Sequence, residues 1–323
     1  MRIGTNPQKI NPEKIHYKQH RVIIPVYIPD SSEPFYKNLF EVFRLSVQSL
    51  LNTINSKFTA ITIINNNSKP EVHDFVFDLL QQGKIDKYVI NKENLGKINP
   101  ILAEARASYE DFVTISDADV FFFPGWEKAV FEIFDAFPKA GVVSPLPMPH
   151  LAYYCNASLF VNNLPFLKRG KIIHEQDLKL FEKGVSNPTI FTSKRNLYKE
   201  HFYLANQNFK SIVGAGHFVA TYRAELFQKF PYFKPEYKLR KGYLFDSLDK
   251  YFDFFGYYRL STVKSYAYHL GNTIPDWIRQ KQFSTVDSSP FTIPQPVKIK
   301  IQPYWIYKLK SLIFKVLRKT KLI

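Results

Sequence analysis

Two carboxylates, Asp117 and Asp119, stand two positions apart in TISDADVFFFPGW, between an apolar run and three phenylalanines. Charged groups so close to a core are costly to desolvate unless they are paired or hold a cation. Alternate residues of an extended chain point to the same side, so this pair can offer oxygens toward one point. Oxygen donors suit Mg²⁺ or Mn²⁺. Taken alone, the pair equally describes two solvated carboxylates closing a strand. A second acidic pair, Asp246 and Asp249 in FDSLD, is spaced three apart and shares one helix face. It could supply a general base, or two helix-start carboxylates facing the dipole. A third candidate is His269 in YHLGN, either an imidazole ligand or a packed core residue.

The elements around these groups read as an alternation. RVIIPVYIP is a strand stopped by Pro25 and Pro29, and Leu39, Val42, Phe43, Val47, Leu50 and Ile54 then follow the helical period. AITII is a continuous apolar run suited to a buried parallel strand, and it runs into the turn-tolerant NNNS. A helix carrying Val72, Val76 and Leu79, the strand KYVI, the helix INPILAEARASY and the strand DFVTIS lead to Asp117. A helix from about Gly125 to Phe137 and the strand GVVSP complete the series. Such alternation predicts an α/β fold with a doubly wound, mostly parallel sheet. Right-handed crossovers align the strands' C-terminal ends along one edge, where ligands bind. Asn65 to Asn67, Asn91 and Asp117 fall at such ends.

From Pro147 to about Ser211 the alternation is lost in a segment rich in aromatic and basic residues, which we read as an insertion covering the crevice. GAGHFVATY is a returning strand, RAELFQKF a short helix, and YLFDSLDKYFDFFG a further helix.

In order along the chain, IPVY, SVQSLL, IINNNS, NLGK, SDADVFFFPGW, GAGHF, FDSLD and YHLGN resemble the motifs of GT-A-fold glycosyltransferases of the family-2 type. The resemblance covers roughly residues 20–275, apart from the insertion. It implies a metal-dependent, inverting transfer of a sugar from a nucleotide-diphosphate donor, a UDP-sugar, to a saccharide acceptor. Asp119 would be the direct metal ligand, Asp117 would reach the ribose or the metal, and His269 would complete a Mn²⁺ or Mg²⁺ site. Pro25 and Tyr27 would begin the base pocket, with Asn66 on a uracil edge where the family commonly has Asp. Lys97 would pair with the diphosphate. FDSLD departs from the family's acidic motif in its leading residue and its spacing; Asp246 is favoured over Asp249 as the base. Trp126, Gly216 and His217 would line the acceptor site, with Trp126 equally readable as core.

The 323 residues carry a net charge of +16, which calls for an anionic partner. Much of the excess is in the tail, since no Asp or Glu follows Asp287. One cysteine, Cys155, excludes an internal disulfide and a multi-cysteine zinc site. The polar start lacks the apolar core of a secretory signal, and no apolar run reaches the ~18 residues of a spanning helix. A cytoplasmic protein is therefore expected.

We divide the chain into a polar leader (1–19), a catalytic domain (20–275, its halves meeting at 145/146) and a basic tail (276–323). In the tail, Trp305, Leu309, Leu312, Ile313, Val316 and Leu317 recur at helical spacing, while the lysines fall largely elsewhere. A basic amphipathic helix over 304–321 suits an anionic membrane surface, each cation contributing about 1 kcal/mol. It suits packing on the domain as well. A lipid-linked acceptor would give membrane contact a purpose.

Three rival readings remain on this sequence. A nucleotidyltransferase would show a glycine-rich first turn, which PVYIPDSSEP lacks. A nucleic-acid binder would account for the charge and aromatics but gives Asp117 and Asp119 no role, so no nucleic-acid partner is expected. A catalytically inactive membrane scaffold of the same fold fits the altered FDSLD motif.

Overall fold

The computed structural model describes residues 3–206, 209–231, 238, 245–280, 291–295, 297 and 300–323, with the side chains of 7, 10 and 245–247 outside the description. After a one-turn helix α1 (Pro7–Ile10), the first half alternates as the residue pattern predicts. Its elements are β1 (His20–Val26), α2 (Leu39–Leu51), β2 (Thr59–Asn65), α3 (Pro70–Gln81), β3 (Lys87–Ile90), α4 (Ile98–Ala107) and β4 (Phe112–Ser116). β2 and β4 are buried at every position, which explains their unbroken apolar character. β3, β2, β1 and β4 lie side by side in parallel, with His20 opposite both Thr59 and Phe112.

Two of the three phenylalanines after Asp119, Phe121 and Phe122, belong to an element that the sequence pattern did not separate. Val120–Phe122 forms a short strand, β5, with all three residues buried. Gly125 then takes φ +83 and starts α5 (Trp126–Ala136), which returns the chain to β6 (Ala140–Ser144). A left-handed backbone there suits glycine.

The insertion is more ordered than an irregular cover. It contributes α6 (Ala157–Asn162), β7 (Lys168–Gly170), α7 (Glu175–Gly184) and β8 (His201–Asn206), followed by β9 (Phe209–Val213). β7, β8 and β9 pair antiparallel and extend the main sheet beyond β11 (Tyr258–Ser261). Its strands thus form one edge of the sheet. Its short strands, with exposed residues in β7 and at the start of β9, left little apolar alternation to read.

β10 (Val219–Arg223) is the returning strand; it runs antiparallel between β4 and β6. α8 (Glu225–Lys229) and α9 (Phe245–Phe255) follow, then β11 parallel to β6. Among the described residues the sheet has ten strands, ordered β3-β2-β1-β4-β10-β6-β11-β9-β8-β7. All but β10, β9 and β7 run in one direction, so the doubly wound, mostly parallel architecture holds.

β12 (Ala267–His269) leaves the main sheet to pair antiparallel with β5, placing His269 opposite Val120. A short helix α10 (Asp276–Arg279) and the terminal helix α11 (Tyr304–Lys319) end the described chain. Phe314 and Leu317 of α11 are buried, with Phe314 against Tyr153 and Phe160 of the insertion. Trp305, Leu309, Leu312 and Val316 remain at least half exposed. Among the described residues no helix is long and apolar enough to cross a membrane.

Candidate active site

β4 delivers Asp117 to the rim of the sheet, and the turn into β5 presents Asp119 beside it. Pairing of β5 with β12 closes the site from the far end of the sequence: Leu270 donates its N–H to the Asp119 carbonyl at 2.8 Å. His269 Nε2 then lies 3.4 Å from Asp119 Oδ2. Its other ring nitrogen, Nδ1, is 3.1 Å from the Gly184 carbonyl. That carbonyl can only accept, so Nδ1 donates to it and the ring is held with Nε2 turned toward the carboxylates. Asp117, Asp119 and His269 each offer a ligand atom, all within 4.8 Å of one another.

The electrostatics fit a cation. Asp119 Oδ1 is buried with no hydrogen-bond partner among the described residues. Burial, reinforced by Asp117 and opposed by His269 and Lys97, pushes the Asp119 carboxyl up to about 6. A divalent ion would supply the missing counter-charge. Two carboxylate oxygens and one imidazole form a donor set suited to Mn²⁺ or Mg²⁺.

Lys97 forms an ion pair with Asp117, both side chains being about a quarter exposed. Its position depends on the loop before it. Asn66 is 3% exposed; its amide nitrogen donates to Asn94 Oδ1 and to the Gly96 carbonyl, each at 2.9 Å. Its oxygen accepts from Leu95 N–H at 3.0 Å and from Asn91 Nδ2 at 3.2 Å. Asn66 therefore does not read a base edge, as the resemblance implied; it is a buried clip that shapes the NLGK loop. Gly96 sits at φ +79, and a Cβ there would come within 2.4 Å of the Lys238 carbonyl. Pro25 and Tyr27 lie at the end of β1, with Tyr27 39% exposed at the sheet edge.

On the acceptor side, Gly216 donates to Ser144 Oγ at 2.9 Å, and a Cβ on it would strike the Met148 methyl at 2.5 Å. His217 follows, with Nε2 3.2 Å from Asp249 Oδ2 and its ring edge-on to Tyr154. Phe218 ties this segment to the metal-ligand candidates. Its carbonyl accepts from Asp117 N–H at 2.7 Å, and its ring lies 4.9 Å from that of His269. Burial and the nearby cations Arg259 and Lys97 hold His217 down to about 2, so the imidazole is neutral.

Two sequence-based expectations need correction here. Trp126 is fully buried in the core against His20 and Phe122, so it cannot floor an acceptor site. Its place at the first turn of α5 turns the ring beneath the sheet. Asp249 is also fully buried, in an ion pair with Arg259, whose guanidinium further donates to the Ala215 carbonyl at 2.6 Å. A carboxylate so enclosed cannot meet an acceptor hydroxyl. Asp246 begins the same helix one turn earlier, and its side chain lies outside the described residues. Arg259 went unnoticed because no motif surrounds it in the sequence. Asp253 also escaped notice: its carboxylate accepts from the N–H groups of Ala157 and Ser158 and so caps α6.

Residues 34–151 match the family described as Glycosyl transferase family 2. A search of curated protein sequences finds no match. Among solved structures, the chain is similar to the S. aureus TarS fragment 1–349 at 13% identity and a TM-score of 0.44, covering 77% of this chain and 60% of that one. It is also similar to the mannosyltransferase PcManGT from Pyrobaculum calidifontis in complex with GDP-Man and Mn²⁺. There the identity is 14% and the TM-score 0.43, over 95% of this chain and 64% of that one. The chain thus spans less than two thirds of the length of either.

Proposed function

We propose that this chain, whose residues 34–151 match the glycosyl transferase family 2 model, is a metal-dependent, inverting glycosyltransferase. The donor in this reading is a nucleotide-diphosphate sugar, a UDP-sugar in the first instance, and the acceptor a lipid-linked saccharide. The observation that carries the reading is the convergence of Asp117, Asp119 and His269 from two strands far apart in sequence. A lone D-x-D is common; a histidine oriented by a backbone carbonyl beside it is a built site.

Asp119 and His269, with Asp117, would hold Mn²⁺ or Mg²⁺, which as a Lewis acid stabilises charge on the departing diphosphate. Lys97 adds a positive charge at the same rim, on a loop clamped by Asn66. Pro25 and Tyr27 would border the nucleoside at the ends of β1 and β2. In the transfer, the acceptor hydroxyl oxygen forms a bond to the anomeric carbon. The bond from that carbon to the diphosphate oxygen breaks, and its electron pair leaves with the diphosphate. The hydroxyl proton passes to a base, assigned here to Asp246 at the start of α9. Gly216 and His217 line the acceptor approach, and the buried Asp249–Arg259 pair fixes His217 from behind.

The apolar stripe of α11, with Lys308, Lys315 and Lys319 on the same helix, supports peripheral attachment to the cytoplasmic face of an anionic membrane, in a route to surface polysaccharide. The domain limits 20–275 and 276–323 follow from this assignment. The inactive-scaffold reading is the alternative that the enclosure of Asp249 favours.

The test is turnover of a panel of nucleotide-diphosphate sugars with Mn²⁺, following donor hydrolysis and transfer. Asp119→Ala is expected to lower turnover by more than about 100-fold, since even outer-shell changes cost 10–100-fold. Unchanged turnover in Asp119→Ala would refute metal dependence, and no donor consumption by the parent chain would favour the scaffold.

A further inference from the structure

A second concave site lies away from the carboxylates, between the insertion and the end of α11. It is a cavity of about 830 Å³ whose lining includes Arg169, Lys194, Arg195, Lys199, Arg318 and Lys321. Against these six cations stands the Glu200 carboxylate, which is engaged by Arg169. Positive charge is therefore in large excess. A ligand-sized cavity lined so one-sidedly attracts anions.

The arginines are organised rather than merely near. Arg195 and Arg318 both lie against one ring, that of Tyr153, with guanidinium carbons 4.2 and 4.6 Å from its centroid. The ring orients two planar forks from segments more than a hundred residues apart. Like charges gathered in this way repel unless an anion comes between them. Guanidinium forks match phosphate oxygens in bidentate geometry.

The end of the helix is shaped for the same place. Lys321 adopts φ +58, a left-handed backbone that a lysine takes only at a cost. The turn is closed by Leu322 N–H donating to the Leu317 carbonyl at 3.0 Å, which folds Ile323 into a nearly buried position on the cavity wall. The exposed Leu309, Leu312 and Val316 lie on the helix that feeds this rim.

The cavity also touches the first site indirectly. Tyr153 lines it, while the next residue, Tyr154, faces His217. His150 lines it too, and its ring contacts Phe181, which meets Phe218 beside His269.

We propose that this cavity is a second anion site that binds a phosphate or diphosphate group, distinct from the metal-dependent donor site. The phosphate could come from a lipid headgroup at the surface that α11 touches, or from a free polyphosphate. Binding there needs no divalent cation, so it stands or falls apart from the donor chemistry.

The test uses the full chain in EDTA, titrated calorimetrically with inorganic pyrophosphate. A parallel arm measures sedimentation with phosphatidylcholine vesicles, with and without phosphatidic acid. Arg195→Gln/Arg318→Gln is expected to weaken binding at least about tenfold, the effect of one lost charge-assisted hydrogen bond. Lys194→Gln/Lys199→Gln removes two exposed ammonium groups, so a several-fold loss is expected with folding intact. Loss of pyrophosphate binding with vesicle binding unchanged identifies a free phosphate ligand. Loss of binding to phosphatidic acid vesicles identifies a headgroup. If both variants match the parent chain in both arms, the proposal is overturned. Nucleoside diphosphate binding with Mn²⁺ should be unaltered in either variant, which separates this outcome from any failure of the first site.

Discussion

The chain carries two acidic pairs near the same edge of one sheet, and the structure treats them in opposite ways. Asp117 and Asp119 face a lysine and an imidazole, with one oxygen of Asp119 left unsatisfied among the described residues. Asp249 faces a buried guanidinium. The first arrangement lacks positive charge at its centre and so can accept a cation; the second has been supplied with one by the fold. A carboxylate's role follows from the counter-charge around it more than from its motif. Breaking each pair in turn shows whether that contrast holds.

The largest effect is expected at Asp246. If it takes the acceptor proton, Asp246→Asn should lower kcat by about 10²–10⁴-fold. Donor affinity should be unchanged, as checked by steady-state kinetics beside nucleotide titration. An equal loss on Asp249→Asn without a fall in melting temperature would reverse the assignment.

Next comes the buried ion pair. Arg259→Met leaves Asp249 enclosed without its partner and should cost about 3–5 kcal/mol in denaturant unfolding. Adding Asp249→Leu should restore much of that loss. A mild effect of the single change would mean that water reaches Asp249.

Asn66→Ala should cost about 1–3 kcal/mol through unsatisfied buried groups in the NLGK loop. It should also raise KM for the donor through misplacement of Lys97, with kcat less affected. An effect on base selectivity instead would restore the role that the family resemblance suggested.

The smallest effect, per histidine over the first pH unit below about 6.5, concerns acid. His217 is held down to about 2 and His150 to about 4 by burial, and His201 is lowered as well. Unfolded, these groups bind protons below about 6.5, whereas the folded chain resists them. The unfolded state thus binds more protons, and stability is present above that pH and lost as pH falls through it. Each histidine steepens the loss by up to about 1.4 kcal/mol per pH unit. Melting temperature against pH checks this, and replacing His150 with Phe should flatten the curve.

The parts of this contrast differ in how far they can be read from residues alone. β1 to β4 and the placement of Asp117 were legible because each strand is a short apolar run bounded by turn residues. His269 was legible through its order among the motifs, but its pairing partner was not: β5 and β12 are three residues each and nearly 150 positions apart. Short strands carry little periodicity, and long-range pairing leaves no local trace. Trp126 was ambiguous because a first-turn aromatic can face either core or crevice. Asn66 misled because an Asp-to-Asn change reads as altered recognition, whereas the structure uses both ends of the amide internally. Arg259 left one clue only, a single charge in a segment otherwise without charged residues. The basic cavity was foreshadowed by net charge, but its location depends on where α11 docks.

The central claim is tested most directly by titrating the chain with its best-binding nucleoside diphosphate, with and without Mn²⁺, in the parent and in Asp119→Ala. The account predicts that Mn²⁺ tightens binding to the parent by about tenfold or more, a coupling of ordinary size between two ligands, and leaves Asp119→Ala indifferent to the metal. Equal affinity with and without Mn²⁺ in the parent, or an undiminished gain in the variant, would contradict it.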